Sequence, residues 1–298
     1  MQILTGLEPL RSALAALKSG DNSDRPGLAL VPTMGALHEG HLTLVREAKR
    51  RAAHVVVSIF VNPRQFAPHE DLATYPRRLE ADGALLEAEG VDVLWAPTVQ
   101  AMYPAGYATS LQVGGLDAVL CGAARPGHFD GVATVVAKLF NQVQPDVALF
   151  GEKDWQQLAI IRRMARDLDL THPRADAILG VPTVREADGL AMSSRNQYLT
   201  AEERSQAPAL NRAMRGAEAL ILAGEPVASV LAGLRAEVLA SGFRQVDYAD
   251  LRDAATLEEL SAFDGRAARL LVAAHIGKAR LIDNMAIGGR PDLLDVLG

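Results

Sequence analysis

The chain has 298 residues, with 30 Lys plus Arg against 36 Asp plus Glu and a net charge of −6 at pH 7. This length predicts two domains, and the acidic balance argues against a general nucleic-acid or acidic-membrane binder. The one cysteine, Cys121, excludes an internal disulfide framework and is typical of a reducing compartment, so we expect a cytoplasmic protein. We expect neither a signal peptide nor a membrane span, because no segment has the required pattern.

Short β-rich runs alternate with helical patterns through the first half of the chain. Strands are predicted at 28–31, 55–61, 91–95 and 147–150, and helices at 42–53, 79–89, 131–143 and 155–168. This alternation predicts an α/β fold with a Rossmann-like, doubly wound parallel sheet covered by helices on both faces. We assign residues 1–181 to this catalytic domain.

The pattern changes after Pro182. The polar, turn-rich segment 185–196 is interpreted as a hinge or a loop over the site. Helices are predicted at 201–223 and 226–240, and strands at 245–251, 268–275 and 279–285. Residues 182–298 are therefore predicted to form a second, smaller α+β domain that acts as a lid.

The segment Met34–His41 joins the first predicted strand to the first predicted helix. It places His38 and His41 on one face of the helix's first turn, where unpaired backbone N–H groups and the positive end of the dipole can bind phosphate. Imidazoles at this position can stabilise negative charge on phosphorus, which indicates nucleotide chemistry. The alternative is that one histidine caps the helix and the other is a surface residue. Zinc-protease chemistry needs histidines four apart, and no Walker-type glycine-rich loop is present.

Two further polar motifs follow predicted strands. Asn62–Phe66 follows the second and Gly151–Asp154 follows the fourth, so all three motifs are expected at one edge of the sheet. Lys153 is placed to reach phosphate oxygens, with Asp154 as a helix N-cap. The alternative for Lys153 is a solvated surface charge.

Other side chains fit the same chemistry. Ser193, Ser194 and Arg195 offer two hydroxyls and a guanidinium, which suit a pyrophosphate leaving group, although alone they could be ordinary turn residues. Gln65 and Gln157 carry amides that can hold a carboxylate without neutralising it. Taken singly, both could be surface glutamines.

The motifs together resemble the pantoate–β-alanine ligase (pantothenate synthetase) family. They are PTMGALHEGH, VSIFVNPRQF, YPR, RPGHFDGVATVVAKL, GEKDWQQL, DGLAMSSRN and RLLVAAHIGKARLIDN, and they cover nearly the whole chain in the family's order. The core is similar to nucleotidylyltransferases that carry a His-x-Gly-His motif. The sequence departs from the pattern at 169–177, where it carries extra residues between a helix and the next strand.

The resemblance implies a two-step ligation by a homodimer. The pantoate carboxylate would attack the α-phosphorus of ATP to give pantoyl-adenylate and pyrophosphate, and the β-alanine amine would then release AMP and pantothenate. Mg²⁺ would bridge ATP phosphates, with Asp82 as a weak candidate contact whose alternative is an exposed helix carboxylate. No nucleic acid or membrane partner is implied.

The resemblance also assigns roles to residues. The catalytic residues would be His41, as proton donor, with His38 and Lys153. ATP would be bound by Met34, Gly35, Ala36, Leu37, His38, Glu39, Gly40, His41, Gly151, Glu152, Lys153, Asp154, Val184, Met192, Ser193, Ser194 and Arg195. The other substrates would be bound by Gln65, Gln157, Asn62, Phe60, Val132, Val135, Arg125 and His128. Residues 1–181 would then bind ATP and pantoate.

Two other functions remain open. One is a nucleotidylyltransferase that adenylylates a phosphate acceptor, which would release a dinucleotide-type product without AMP. The other is a non-catalytic, nucleotide-binding regulator, which would bind ATP without forming pyrophosphate. The amides of Gln65 and Gln157 suit a carboxylate acceptor better than a dianionic phosphate.

Overall fold

The computed structural model describes residues 1–20, 26–67, 70 and 72–288. The chain divides into two compact units. The first comprises Met1–Glu152 and Ile160–Val181, and the second comprises Lys153–Ala159 and the chain from Pro182 onward. Within the described residues, every helix is too short or too polar to cross a bilayer.

The first unit is built on a six-stranded sheet in which every pair of neighbours is parallel, in the order β1-β4-β3-β2-β5-β6. The strands are β1 (Gln2–Leu4), β2 (Leu28–Thr33), β3 (His54–Ile59), β4 (Val93–Trp95), β5 (Val147–Gly151) and β6 (Ile178–Val181). The helices up to residue 167 are α1 (Leu7–Gly20), α2 (Glu39–Arg51), α3 (Leu79–Ala88), α4 (Val99–Met102), α5 (Cys121–Ala124), α6 (His128–Val143) and α7 (Trp155–Asp167).

Strand β2 lies at the centre of the sheet, between β3 and β5. Its first four residues, Leu28–Val31, have no solvent exposure, because a parallel strand is covered on both faces and reads as a continuous apolar run. The strand order reverses between β2 and β5, so the ends of β2, β3 and β5 meet at the topological switch point where α/β sheets bind ligands. The prediction of a doubly wound sheet is confirmed, and Met34–His41, Asn62–Phe66 and Gly151–Glu152 lie at or just after strand ends at one edge of it.

Several boundaries differ from the predicted ones. Helix α2 begins at Glu39 because His38 caps it, and α6 begins at His128 after Gly127, whose φ is +79°. Strand β3 ends at Ile59, because Asn62 caps a 3₁₀ turn over Pro63–Gln65. The short edge strands β1 and β6 and helices α1, α4 and α5 were not predicted.

The second unit contains a three-stranded antiparallel sheet in the order β7-β8-β9. Its elements are α8 (Ala201–Gln206), α9 (Ala209–Leu222), α10 (Val227–Ala240), β7 (Gln245–Asp253), β8 (Ala268–Ile276) and β9 (Ala279–Ile287). One apolar core joins α9 and α10 to the sheet, so the predicted smaller α+β architecture is confirmed. The prediction of one helix over 201–223 was wrong, because Pro208 lacks an N–H and separates α8 from α9.

The segment Lys153–Ala159 groups with the second unit, although the predicted range 1–181 placed it in the first. The Trp155 indole N–H donates to the carbonyl of Ala254 at 2.9 Å, and the Arg269 guanidinium stacks 3.4 Å from the Trp155 ring centroid. The amide of Asn284 also donates to the carbonyl of Lys153 at 2.8 Å. These contacts tie the start of α7 to the antiparallel sheet.

Candidate active site

The two histidines of the first motif form a reciprocal cap at the start of α2. His38 is the N-cap residue, and its Nδ1 accepts the backbone N–H of Gly40 at 3.2 Å. His41 lies in the first turn, and its Nδ1 accepts the backbone N–H of His38 at 3.3 Å. The ring centroids are 4.1 Å apart. Imidazoles therefore replace the Ser/Thr and Glu side chains that usually make a capping box.

This cap fixes which nitrogen of each ring carries hydrogen. Because the Nδ1 atoms of His38 and His41 accept backbone N–H groups, the neutral rings must carry their protons on Nε2. Each ring thus presents an Nε2–H donor near the positive end of the helix dipole. Capping and anion stabilisation use different nitrogens, so the capping alternative does not compete with a chemical role.

The backbone that leads into this cap has an unusual conformation. Gly35 and Ala36 both have positive φ, +84° and +52°, which directs successive N–H groups to one side of the loop. The carboxylate of Asp82 accepts two of them, from Ala36 at 2.8 Å and from Leu37 at 2.9 Å. The loop is therefore anchored to α3 by a negative charge.

This geometry corrects the interpretation of Asp82. The residue is only 2% exposed, so it is not an exposed helix carboxylate. Each of its oxygens accepts one backbone N–H. Among the described residues, no group of three or more His, Cys, Asp or Glu side chains is arranged to hold a metal ion. The described residues alone therefore do not make a magnesium cage.

The motif after β3 forms a buried amide pair. Asn62 and Gln65 are 1% and 8% exposed, and the Asn62 amide nitrogen donates to Gln65 Oε1 at 3.1 Å and to the Gly131 carbonyl at 3.0 Å. A Cβ on Gly131 would lie 2.4 Å from the Arg64 carbonyl oxygen, so only glycine lets α6 approach this closely. The amide nitrogen of Gln65 lies 3.2 Å from the sulfur of Met34, which brings the first two motifs into direct contact.

Arg125 and His128 support Gln65 through its backbone. His128 Nδ1 lies 2.8 Å from the Gln65 carbonyl oxygen, and Arg125 approaches His128 Nε2 at 3.0 Å. Arg125 also makes two 2.6 Å hydrogen bonds to the carboxylate of Glu70. Burial tends to raise the pKa of Glu70, but the hydrogen bonds and charge of Arg125 outweigh it and lower the pKa below its ordinary value.

Most of the other site residues predicted in the first unit have buried side chains. Phe60, Val132 and Val135 are buried, at 6%, 2% and 6% exposure. Gly151 ends β5, and Glu152 after it is buried. Glu39 is exposed and pairs with Arg46, so its side chain belongs to the outer face of α2.

The predicted residues of the second unit lie in two segments. Lys153 and Asp154 form a 3₁₀ turn before α7, with the Lys153 ammonium 3.5 Å from the Asp154 carboxylate, and Gln157 is half-buried on α7. The other segment is a loop from Val184 to Asn196. The Met192 N–H donates to the Val184 carbonyl at 3.0 Å, and Ser193 caps a 3₁₀ turn that contains Ser194 and Arg195.

Ion pairs hold the Val184–Asn196 loop, which includes the segment 185–196 that was predicted to be a hinge or a loop over the site. Arg185 makes hydrogen bonds of 2.6 and 2.8 Å to the buried carboxylate of Asp283. Arg204 on α8 pairs with Glu186 and with Asp188. The loop is thus an ordered part of the second unit.

Two contacts of the first unit have no counterpart in the sequence motifs. They are the carboxylate of Asp82 on the Met34–Leu37 backbone and the hydroxyl of Tyr103, which donates to Asn62 Oδ1 at 2.8 Å. Both residues lie some forty positions from their partners along the chain. The YPR motif that precedes Asp82 was the only local signal that this region belongs to the site.

A six-stranded parallel sheet with a pair of helix-capping histidines at its switch point defines an α/β protein of the nucleotide-binding class. Comparison with known proteins makes the assignment specific. The family model for pantoate-beta-alanine ligase matches residues 2–286, and the chain belongs to that family.

Similar proteins support the assignment over the full length. Pantothenate synthetase from Novosphingobium aromaticivorans is 70% identical, over 97% of this chain and 99% of that protein. The one from Sphingopyxis alaskensis is 59% identical, over 97% and 100%. The crystal structure of the Thermus thermophilus enzyme is 49% identical with a TM-score of 0.86, covering 96% of this chain and 99% of that chain. That of Francisella tularensis pantoate-beta-alanine ligase, complexed with beta-gamma ATP and beta-alanine, is 32% identical with a TM-score of 0.79, covering 98% and 100%.

Proposed function

We propose that this protein condenses pantoate with β-alanine in an ATP-dependent reaction that yields pantothenate, AMP and pyrophosphate. The observation that carries the proposal is the match of the whole described fold to this ligase family. The reciprocal histidine cap at the switch point supplies the chemistry that such a reaction needs. The Francisella relative, complexed with beta-gamma ATP and beta-alanine, supports the choice of substrates.

In the first step, a carboxylate oxygen of pantoate attacks the α-phosphorus of ATP. The bond between that phosphorus and the oxygen bridging to the β-phosphate breaks, and pyrophosphate leaves. His38 and His41 donate through Nε2–H to the negative charge that develops on the α-phosphate oxygens, together with the N-terminus of α2. His41, the proton donor that the family resemblance implies, offers its Nε2–H here as a hydrogen bond and keeps the proton, because its Nδ1 accepts the His38 N–H. The intermediate is pantoyl-adenylate.

Four side chains are assigned to the departing pyrophosphate. Lys153 and Arg195 supply positive charge, and Ser193 and Ser194 supply hydroxyl donors. The nucleotide itself is bound by the backbone of Met34–His41 and by the side chains or backbone of Gly151, Glu152, Asp154, Val184 and Met192. Because Asp82 anchors the Met34–Leu37 backbone, this part of the site is formed before ATP arrives.

Pantoate is held without neutralising its carboxylate. Gln65 and Gln157 donate amide hydrogens to it, whereas a paired arginine would weaken the carboxylate as a nucleophile. The buried side chains of Phe60, Val132 and Val135 form an apolar wall for its methyl groups. Asn62, Arg125 and His128 act on this substrate through Gln65.

In the second step, the β-alanine amine attacks the acyl carbon of the intermediate. The carbon–oxygen bond to AMP breaks, and the amine loses a proton as the amide forms. Gln65 also contributes to the β-alanine site. We propose that Mg²⁺ accompanies ATP, bound by phosphate oxygens and water.

One labelling experiment tests the adenylate directly. With pantoate carrying ¹⁸O in its carboxylate, the proposed path transfers one labelled oxygen to AMP. Formation of a dinucleotide-type product would favour a nucleotidylyltransferase. Saturable ATP binding without pyrophosphate formation would favour a regulator.

The lid role of residues 182–298, the homodimer and the cytoplasmic location remain proposals. A lid that excludes water predicts little AMP release from ATP and pantoate when β-alanine is absent. Light scattering during gel filtration would measure the mass of the particle against the 31.8 kDa chain. Cys121 is the chain's one cysteine and a free thiol, which suits a reducing compartment.

A further inference from the structure

The orientation of the Asn62 amide is determined by two backbone groups. The Arg64 N–H, which can only donate, lies 3.3 Å from Asn62 Oδ1. The Gly131 carbonyl, which can only accept, lies 3.0 Å from Asn62 Nδ2. Exchanging the oxygen and nitrogen of this amide would place two donors face to face and two acceptors face to face. One orientation is therefore strongly favoured.

This orientation in turn determines how Gln65 is presented. Because Asn62 Nδ2 is a donor, the atom of Gln65 that it contacts at 3.1 Å must be the oxygen, Oε1. The nitrogen of Gln65 then lies toward the Met34 sulfur, a weak acceptor, at 3.2 Å. Gln65 thus offers N–H groups to a substrate, and the matching substrate atom must be an acceptor such as a carboxylate oxygen.

Tyr103 completes this chain of hydrogen bonds. Its hydroxyl donates to Asn62 Oδ1 at 2.8 Å, the shortest of the bonds to that amide. Its ring centroid lies 6.1 Å from that of Phe60 and 5.1 Å from that of Tyr107. Burial raises the pKa of Tyr103 well above its ordinary value, so the hydroxyl keeps its proton at any physiological pH.

We propose that Tyr103 is a positioning residue for the acid substrate, which acts through Asn62 to hold Gln65 as a hydrogen-bond donor. The inference deepens the proposed function and rests on it, because it names a residue that helps the same site to select a carboxylate. Without the hydroxyl, Asn62 Oδ1 loses its 2.8 Å bond and keeps the longer 3.3 Å bond from the Arg64 N–H, so the Asn62–Gln65 pair is less firmly oriented.

The test compares Tyr103→Phe with Tyr107→Phe. Both variants remove one hydroxyl from the same aromatic cluster, but only the Tyr103 hydroxyl belongs to the hydrogen-bond chain. We expect Tyr103→Phe to raise the KM for pantoate about three- to tenfold, the scale of one hydrogen bond, with the KM for ATP unchanged. Tyr107→Phe should leave both constants unchanged. An unchanged pantoate KM, or an equal rise in the ATP KM, would overturn the proposal.

A double-mutant cycle with Asn62→Ala separates positioning from a general structural role. If Tyr103 acts through Asn62, adding Tyr103→Phe to Asn62→Ala should change the pantoate KM by less than about twofold. An undiminished effect in that background would show that Tyr103 acts by another route and would overturn the inference. Thermal melting of the four proteins checks that all of them fold.

The wild-type enzyme is the control that distinguishes failure of the proposed function from failure of the role of Tyr103. If the wild-type enzyme formed no AMP from ATP, pantoate and β-alanine, the proposed function would fail, and this inference with it. If the wild type is active and Tyr103→Phe behaves like Tyr107→Phe, only the role of Tyr103 fails.

Discussion

Two loops carry most of the residues assigned to ATP, and they are held by different interactions. The Met34–His41 loop of the first unit is fixed by backbone N–H groups that donate to two imidazoles and to the buried Asp82. The Val184–Asn196 loop of the second unit is fixed by ion pairs of Arg185 and Arg204.

We therefore expect the two loops to respond differently to salt. Backbone hydrogen bonds to buried groups are short-ranged and are little affected by salt. Exposed ion pairs are screened, since the Debye length falls to about 3 Å at 1 M salt. The first loop should therefore keep its shape over a wide range of conditions, while the outer part of the second loop should loosen as salt rises.

The largest expected effect follows from removing the buried partner of Arg185. Asp283 is 3% exposed, so Asp283→Ala leaves a guanidinium without its counter-ion. We expect the second unit to lose about 3–5 kcal/mol of stability, the usual cost of breaking a buried pair. Hydrogen exchange would show lower protection in β8 and unchanged protection in β2. The exposed pair of Asp264 with Arg266 provides the control, because Asp264→Ala should leave β8 protection unchanged. An equal loss of hydrogen-exchange protection in β8 and β2 would contradict the expected difference between the two units.

The next effect concerns chemistry in the first loop. His41→Ala should lower kcat at least about a hundredfold, the scale of one preorganised charge stabiliser. His41→Asn sharpens the test, because an asparagine oxygen can still accept the His38 N–H but supplies no imidazole. Steady-state kinetics of His172→Gln, a half-exposed histidine of the first unit, serves as the control. Recovery of turnover in His41→Asn would show that the residue only caps the helix.

A smaller effect is expected from Asp82→Asn. The substitution keeps the size of the side chain but turns one acceptor into a donor that opposes the N–H of Ala36 or Leu37. We expect kcat/KM for ATP to fall about tenfold or more, because an unmatched buried group costs about 1–3 kcal/mol. Glu80→Gln, an exposed change on the same helix, is the matched control. Wild-type kinetics in Asp82→Asn would mean that the loop holds its conformation unaided.

The smallest effect is expected at the exposed edge of the second loop. The pairs of Arg204 are about one-third exposed and should each contribute no more than about 1 kcal/mol. Arg204→Gln and 1 M salt should both speed hydrogen exchange at the Glu186 amide by severalfold. Exchange at the Ala36 and Leu37 amides should not change. Equal acceleration in both loops would remove the distinction between them.

Local patterns were enough to predict much of the architecture. The apolar run Leu28–Val31 and the following His38 and His41 predicted a central strand, a loop and a helix start, and the structure has all three. Edge strand β1 was missed because three residues are too few to show a period. The break at Pro208 was missed although the proline itself signalled it.

The contacts within the site were harder to predict. Asp82 meets the Met34–Leu37 backbone only because α3 packs beside it, and Tyr103 reaches Asn62 from the position just after the short helix α4. Such contacts depend on tertiary packing, which spacing along the chain does not encode. The residue types in the motifs indicated phosphate and carboxylate chemistry, but they did not indicate which side chains hold the others in place.

The central claim is that this protein activates an acid by joining it to AMP. It is tested most directly by exchange of radiolabelled pyrophosphate into ATP, with pantoate present and β-alanine omitted. We expect rapid exchange that requires pantoate and is nearly abolished in His41→Ala. Exchange that proceeds equally without pantoate, or no exchange in an enzyme that binds both substrates, would contradict it.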